Sequence, residues 1–306
     1  MNDDSMDIAW CKCNPPQRPP PQSGVRVAVG IGPVRERWIL VQIMEKVCST
    51  ALNKSGIPGM DYCLNPYTGC GHACAYCYAS FMKRFCNISE RWGSFVQVKV
   101  NFADRLESQL RRASPGRVML SSVTDPYQPV EEQYRLTRSC LERLAEREMT
   151  VSILTKSDLV LRDLSLLKQL PRVEVGFTIT VADDDTASIL EPGATPPGRR
   201  FQAMATLAEA GIATWVFIAP VLPGLGDTEG NLTAILKKAA QSGAREVEYD
   251  SLNFYPSAVA NLKHLFKQHW PRLLPGFLAD CADPGLYRDQ LRHLAADLWP
   301  TYGYTC

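Results

Sequence analysis

Three closely spaced cysteines form the clearest chemical pattern in this 306-residue sequence. Cys70, Cys74 and Cys77 follow the pattern CxxxCxxC, and three thiolates within eight residues are typical of a metal centre. Zinc usually takes four ligands in two separated pairs. The candidates for a fourth protein ligand are Cys63, His72, Cys86 or a more distant residue. An iron-sulfur cluster held by three thiolates leaves one iron open to another ligand, so the spacing favours a cluster, with a zinc knuckle as the alternative.

Polar side chains also gather where predicted strands end. They are Ser121, Ser122, Thr124 and Asp125 after one strand, Thr155 and Lys156 after the next, and Thr178 and Thr180 near the end of a third. In parallel barrels the chemistry lies at the carboxyl ends of the strands, which predicts a site there. Further along, Glu191 with Arg199 and Arg200 suggests an ion pair or an anion-binding arginine.

The elements that must position these residues alternate between strand and helix. Short runs rich in Val, Ile and Phe predict strands at 95–100, 118–123, 151–154, 173–179, 213–219 and 246–249. Amphipathic segments between them, such as 134–147, predict helices. Repeated strand and helix indicate parallel strands with right-handed crossovers. Because no glycine fingerprint for a dinucleotide or P-loop site follows any strand, a barrel is favoured over an open doubly wound sheet.

Composition limits the class of protein. The chain is 45% hydrophobic, and 33 Lys and Arg against 32 Asp and Glu give a net charge of +1, so no global basic field indicates nucleic-acid binding. There is no long apolar run, and we expect a soluble, cytoplasmic protein without a membrane partner. The eleven cysteines are an odd number, which argues against a disulfide framework. Residues 1–35 are rich in proline and predict a flexible arm, in which Cys11 and Cys13 are expected to be free thiols.

The cysteine loop resembles that of the radical S-adenosylmethionine (SAM) superfamily, since an aromatic residue, Tyr76, precedes the third cysteine. The match extends to the segments NPYTGCGHACAYCY, SSVTDPYQP, LTKS, GFTIT and APVLPG. Together these segments resemble the spore photoproduct lyase-like branch over residues 50–255. The resemblance implies an α/β fold with a partial (β/α)6 TIM-like barrel at 36–257, the cluster loop at 61–78, the flexible arm at 1–35 and a helical C-terminal extension at 258–306.

The resemblance also implies an activity and its cofactors. Cys70, Cys74 and Cys77 would ligate three irons of a 4Fe-4S cluster, and S-adenosylmethionine would bind the fourth. One-electron reduction would cleave SAM to methionine and a 5'-deoxyadenosyl radical, which takes a hydrogen atom from the substrate. A flavodoxin or ferredoxin would supply the electron, and the candidate substrates are a nucleic acid and a peptide.

The resemblance to this family also implies roles for individual residues. Tyr78 matches a tyrosine near SAM and the radical path, and is the predicted catalytic residue. The predicted cofactor contacts are Tyr76 beside the cluster, Thr124 and Thr178 as hydroxyls at SAM, Lys156 at the SAM carboxylate, and Asp125 at a ribose or in fixing its own loop. An ammonium group at the end of a strand needs an anion beside it, which agrees with the role of Lys156.

One departure from the family bears on the substrate. Spore photoproduct lyase has a cysteine that returns a hydrogen atom to the repaired thymine, and this chain has Ser122 at that position. A serine O–H bond is too strong for that step, so a DNA lesion lyase needs another thiol, such as Cys140, at the site. It also needs a basic groove, for which the candidates are Lys83, Arg84, Arg91 and Lys99. A non-catalytic metal-binding module that recognises nucleic acid is the third hypothesis.

Overall fold

The computed structural model describes residues 26–34, 37–86 and 88–305, which divide into two units. The first unit holds the described residues of Met1–His72, Phe81–Thr155 and Leu159–Glu174. The second holds those of Ala73–Ser80, Lys156–Asp158 and Val175–Cys306.

The first unit contains two sheets. Its strands are β1 (Arg26–Val34), β2 (Arg37–Lys46), β3 (Asn53–Lys54), β4 (Tyr62–Leu64), β5 (Tyr67–Thr68), β6 (Phe95–Lys99), β7 (Arg117–Leu120) and β8 (Thr150–Thr155). One sheet has the order β1-β2-β6-β5, and the other has the row β3-β4-β7-β8. Strands β4, β7 and β8 are parallel, with Cys63 opposite Met119 and Met119 opposite Ser152. Parallel neighbours bring the carboxyl ends of these three strands to the same edge.

Helices of the first unit connect these strands. They are α1 (Lys83–Cys86), α2 (Phe102–Leu110), α3 (Glu131–Tyr134), α4 (Leu136–Ala145) and α5 (Leu164–Leu167). Two 3₁₀ turns, Tyr78–Met82 and Asp158–Asp163, each begin in the second unit and end in the first. Helix α4 buries Leu141 and Leu144 on the face that its apolar spacing predicts. The predicted helix 134–147 is divided, because Arg135 adopts a left-handed conformation with φ 53° between α3 and α4.

The second unit continues the alternation of strand and helix. Strand β9 (Arg172–Thr178) begins in the first unit and continues into the second, followed by β10 (Ala213–Val221) and β11 (Glu246–Ser251). Strand β10 lies between β9 and β11 and is parallel to β11. The helices are α6 (Asp184–Leu190), α7 (Pro197–Glu209), α8 (Glu229–Gln241), α9 (Pro256–His269), α10 (Leu274–Ala282) and α11 (Pro284–Leu298), with a 3₁₀ turn at Trp299–Tyr302. The residues after Pro256 are therefore mainly helical, as expected for the C-terminal extension.

Two details of the predicted organisation are corrected. The predicted strand 95–100 forms as β6, but it pairs with β2 and β5 rather than with the row of parallel strands. The first strand of that row is β4, a three-residue element that lies just before the cysteine loop. Strand β1 also occupies residues assigned to the flexible arm, because the alternating Val27, Val29 and Ile31 form a hairpin with β2.

Some predictions lie outside the described residues. These include the flexible segment before residue 26 and the thiols of Cys11 and Cys13. Among the helices that the structure describes, none has the length and apolar character needed to cross a membrane.

Candidate functional site

The first cysteine of the pattern lies in a tightly folded loop of the first unit. Cys70 follows β5 and is buried. Gly69 before it has φ +88°, and a Cβ atom at this position would lie 2.4 Å from the carbonyl oxygen of Phe95. Because only glycine tolerates both the positive φ and this close approach, the loop conformation next to Cys70 depends on Gly69.

Two side chains from the segment after β7 hold this loop. The hydroxyl of Thr124 donates to the carbonyl of Gly69 at 2.6 Å. The side chain amide of Gln128 donates to the same carbonyl at 3.2 Å and to the Thr124 hydroxyl at 2.8 Å. Its oxygen accepts from the backbone N–H of Gly71 at 2.8 Å. The predicted SAM contact Thr124 therefore also contacts the backbone of the cysteine loop.

Asp125 has several partners within the same unit. One carboxylate oxygen accepts from the Thr155 hydroxyl at 2.7 Å and from the Tyr127 backbone N–H at 2.8 Å. The other lies 3.3 Å from Nε2 of the buried His72. These contacts join the segment after β7 to the end of β8 and fix the Asp125 loop, while ribose binding by Asp125 stays a prediction.

A thiol lies beside Ser122, although the position itself carries a serine. The sulfur of Cys63 in β4 is 3.1 Å from the Ser122 hydroxyl oxygen, and both contact the Asn65 amide nitrogen at 3.3 and 3.2 Å. The Asn65 oxygen accepts from the Ser122 backbone N–H. Cys140 is instead buried in α4, where burial raises the pKa of its thiol. The thiol that the structure brings to Ser122 is therefore Cys63.

Two of the residues proposed for a basic groove line a surface cavity of the first unit, while the groove itself stays a prediction. This cavity of about 400 Å³ is lined by Lys83, Arg84, Ile88 and Ser89. The Lys99 ammonium donates to the carbonyl of Asn65. Two of the four basic candidates thus line the cavity, and Lys99 contacts the backbone near the cysteine loop.

The other two cysteines lie in the second unit. Cys74 and Cys77 are half-buried, and the Cys77 N–H donates to the Cys74 carbonyl at 3.3 Å, which closes a turn. Tyr78 begins the 3₁₀ turn Tyr78–Met82 and is half-buried. Tyr76 is buried, and its hydroxyl lies 3.0 Å from the Thr180 hydroxyl and donates to the carboxylate of Glu191.

A buried ion pair lies at the centre of this second polar group. Glu191 is 2% exposed and pairs with Arg200, which is 1% exposed. Arg200 also donates to the carbonyls of Thr178, at 2.8 Å, and Thr195. The Lys156 ammonium lies 3.8 Å from Glu191. The hypothesis of an ion pair is thus supported for Arg200.

Arg199 and Thr178 differ in how they relate to the Glu191 ion pair. Arg199 pairs with Asp158 and is largely exposed, so it does not share the Glu191 site. Thr178 is buried, and its carbonyl rather than its hydroxyl holds Arg200. The role of the Thr178 hydroxyl at SAM stays a prediction.

The electrostatics of this group follow from burial and charge. Burial alone would raise the pKa of Glu191, but the charges of Arg200 and Lys156, with hydrogen bonds from Tyr76 and Arg200, lower it to about 2. Burial and the Glu191 charge raise the pKa of Tyr76 well above its usual value. At neutral pH Glu191 is therefore anionic and Tyr76 is a neutral donor. Two cations facing one carboxylate give the group a charge of +1.

Sequence reasoning did not single out Gln128, which holds the cysteine loop. Gln128 lies within the SSVTDPYQP segment that carries the family resemblance, but it has no charge and no metal-ligating atom. The only feature of the sequence that points to Gln128 is its position within that segment. Within the described part of the chain, no three His, Cys, Asp or Glu side chains are grouped closely enough to hold one metal ion, and the assignment of the cluster ligands stays a prediction.

Comparisons with known proteins agree with this picture. Residues 64–234 match the family described as the Radical SAM superfamily. An uncharacterized protein of Methanocaldococcus jannaschii is 40% identical over 189 residues, which are 62% of this chain and 71% of that protein. A Pseudomonas phage M6 protein named Radical SAM Nalpha-GlyT isomerase is 26% identical over 69% of this chain and 44% of its own length.

One solved structure shows the same fold. A spore photoproduct lyase variant with bound S-adenosylmethionine and a dinucleoside spore photoproduct has a TM-score of 0.58 and 16% identity. The alignment covers 86% of this chain and 80% of that chain. This similarity confirms the predicted α/β class with the parallel strands of a partial TIM-like barrel.

Proposed function

Because this chain belongs to the radical SAM superfamily and is a radical SAM enzyme, we propose that Cys70, Cys74 and Cys77 ligate its 4Fe-4S cluster. The observation that carries the proposal is that residues 64–234, which match the family, contain all three cysteines. The residues present fit such a group. The three donors are thiols, which are the side chains that hold iron-sulfur clusters.

The residues of the second unit suit the anionic end of SAM. When bound, the cluster supplies the electron that cleaves SAM to methionine and a 5'-deoxyadenosyl radical. Lys156 would bind the SAM carboxylate, because the group of Lys156, Arg200 and Glu191 has a charge of +1. Glu191 limits this charge and orients both cations. Tyr78 would line the path of the radical, and Thr124, Asp125 and Thr178 would contact the rest of SAM.

Deoxyadenosine production is the direct test of this proposal. The chain is reconstituted anaerobically with iron and sulfide, reduced with dithionite in the presence of SAM, and analysed by chromatography for 5'-deoxyadenosine. We expect the product from wild type and none from a variant with alanine at all three cysteines. Tight zinc binding through four protein ligands, without deoxyadenosine, would overturn the proposal in favour of a metal-binding module.

The electron donor and the cellular location are part of the same proposal. A flavodoxin or ferredoxin would replace dithionite, and a cytoplasmic location would supply both that donor and reduced thiols. Reduced flavodoxin with its reductase should then support deoxyadenosine formation without dithionite. Formation with dithionite alone would contradict the choice of donor but not the activity.

We propose a nucleic acid as the substrate, with a peptide as the alternative. The structurally similar lyase variant contains a dinucleoside spore photoproduct, and the cavity lined by Lys83 and Arg84 supplies positive charge that would attract phosphate. Deuterium transfer into 5'-deoxyadenosine from deuterated oligonucleotides, compared with deuterated peptides, would separate the two classes.

A DNA lesion lyase is the second candidate function, and the thiol of Cys63 favours it. An S–H bond is weak enough to give a hydrogen atom to a carbon radical, and the Cys63 sulfur lies 3.1 Å from Ser122. The test is anaerobic turnover of a dinucleoside spore photoproduct. Thymidine monomers from wild type and a marked loss in Cys63→Ala, but not in Cys140→Ala, would support lesion repair. No monomers from a chain that makes deoxyadenosine would exclude it.

A further inference from the structure

We infer that Gln128 is a positioning residue that fixes the backbone on both sides of Cys70 and thereby directs the Cys70 thiolate. The inference rests on the proposed function, in which Cys70 is a cluster ligand. It deepens that function by naming a residue, distant in sequence from the cysteines, on which the geometry of the first ligand depends.

The hydrogen bonds of Gln128 reach both peptide groups that flank Cys70. The Gln128 Nε2 donates to the carbonyl of Gly69, which belongs to the peptide bond before Cys70. The Gln128 Oε1 accepts from the N–H of Gly71, which belongs to the peptide bond after it. Since the orientations of these two peptide planes define φ and ψ of Cys70, one side chain restrains both torsions and the direction of the Cα–Cβ bond.

The chemistry of the loop requires a primary amide at this position. One partner is a donor and the other an acceptor, so the Gln128 side chain must present an oxygen to Gly71 and a nitrogen to Gly69. A carboxylate would lack the donor, and a hydrocarbon would lack both groups. The amide is also neutral, so it adds no negative charge beside a thiolate.

Gln128 is itself held in place. Its side chain is 0% exposed, and its amide nitrogen also donates to the Thr124 hydroxyl at 2.8 Å. Its backbone carbonyl accepts from the Glu131 N–H at 2.8 Å, and its N–H donates to the Asp125 carbonyl at 3.4 Å. A fully buried amide with every polar atom bonded has little freedom to move, which suits a positioning role.

Two variants remove different parts of the brace, by which we mean the pair of hydrogen bonds from Gln128 to Gly69 and Gly71. Gln128→Leu keeps the approximate size but removes both hydrogen bonds to the loop. Gln128→Glu keeps an acceptor for the Gly71 N–H and places a second oxygen against the Gly69 carbonyl. The matched control is Gln109→Leu. Gln109 also braces a loop in the first unit, because its oxygen accepts from the N–H groups of Ala51 and Leu52 at 2.8 and 3.0 Å.

The experiment measures three properties of the reconstituted full-length chain in addition to its melting temperature. Iron per chain and the electron paramagnetic resonance (EPR) spectrum of the reduced cluster report on the Cys70 thiolate. Hydrogen exchange of the Gly71 amide, recorded with and without the cluster, reports on the brace itself. A purely structural role would lower the melting temperature of Gln128→Leu and Gln109→Leu alike without changing the EPR spectrum of either.

We expect Gln128→Leu to lose about tenfold in Gly71 protection, to retain less than half of the wild-type iron and to show altered EPR g-values. Gln128→Glu should keep the Gly71 protection but change the g-values. If Gln128→Leu does not fold, the g-values of Gln128→Glu test the inference instead. Gln109→Leu should match wild type in all three measurements.

The inference would be overturned if both Gln128 variants had the EPR spectrum, the iron content and the Gly71 exchange rate of wild type. If wild type binds no iron, the proposed function fails, whereas Gly71 exchange still decides whether Gln128 braces the loop.

Discussion

The polar group of the first unit and that of the second unit use different kinds of interaction. Around Cys70, Gln128 and Thr124 make uncharged hydrogen bonds to backbone atoms of the cysteine loop. In the second unit, Glu191 and Arg200 form a buried ion pair. Hydrogen bonds to backbone restrict geometry, whereas buried charges set protonation states and an electric field. The group of the first unit therefore positions the backbone of the cysteine loop, and the group of the second unit carries a positive charge that could bind an anionic ligand.

This difference has an energetic consequence. A neutral hydrogen bond contributes about 1 kcal/mol to stability, whereas removing one partner of a buried ion pair costs about 3–5 kcal/mol because the other charge stays buried without compensation. Substitutions in the second group should therefore destabilise the protein more than substitutions in the first. Four changes, taken from the largest expected effect to the smallest, test this contrast.

The largest effect is expected from Arg200→Met. The substitution keeps much of the side chain volume but leaves the buried Glu191 carboxylate without its guanidinium partner. We expect a loss of about 3–5 kcal/mol in the free energy of unfolding, measured by urea titration. The control is Arg199→Met, since Arg199 is exposed and pairs at the surface; its change should stay within about 1 kcal/mol. Equal effects in the two variants would remove the distinction between the groups.

The dependence of stability on pH should report on the same ion pair between Glu191 and Arg200. The pKa of Glu191 is lowered to about 2 in the folded chain, below its value of about 4.3 in an unfolded chain. The stabilisation by the Glu191 charge is therefore fully present above pH 4.3 and is lost as the pH falls towards 2, by about 3 kcal/mol in total. Urea titrations between pH 6 and pH 2.5 should show the stability advantage of wild type over Glu191→Gln narrowing below pH 4.3. A constant difference across this range would contradict the lowered pKa.

The sequence predicted most of the elements because their patterns are local. Runs of Val, Ile and Phe identified β7 to β11 nearly at their observed bounds, and apolar spacing identified the buried face of α4. Strand β4 was not recognised, because three residues are too few to show a period and they adjoin the cysteine loop. Which sheet β6 joins depends on its pairing with β2, a contact between distant residues that no local pattern encodes.

The site was predictable where a residue carries chemistry that its type alone reveals. Cysteine spacing and the resemblance predicted Cys70, Cys74 and Cys77 as cluster ligands, which stays a prediction, and the charges of Glu191 and Arg200 raised the hypothesis of an ion pair. Gln128 was not predictable, because a neutral amide gains its role only from two backbone groups that folding brings to it. For the same reason the sequence could not choose between Arg199 and Arg200, which differ in burial rather than in type.

Lys156→Met tests whether the second group presents charge to a ligand. Lys156 is half-buried and lies 3.8 Å from Glu191, which retains Arg200 as its closer partner. We expect little change in stability but SAM affinity lower by about tenfold to a hundredfold, the loss typical of a hydrogen bond between charged groups. Calorimetric titration of the reconstituted chain with SAM measures it. Lys168→Met is the control, because Lys168 directly follows α5 and is exposed. Unchanged affinity in Lys156→Met would remove Lys156 from the proposed SAM site.

The smallest effect is expected in the first group, from Thr155→Val. Valine has the shape of threonine but cannot donate to Asp125, whose carboxylate still accepts from the Tyr127 N–H. We expect a loss of about 1 kcal/mol in the free energy of unfolding, measured by urea titration, while Thr150→Val at the start of the same strand should change stability less. The acid dependence of stability should stay that of wild type, because the substitution does not touch the Glu191 ion pair. A loss as large as that of Arg200→Met would show that the hydrogen bonds of Asp125 stabilise the fold as strongly as the buried charges do, and the contrast between a positioning group and a charged group would fail.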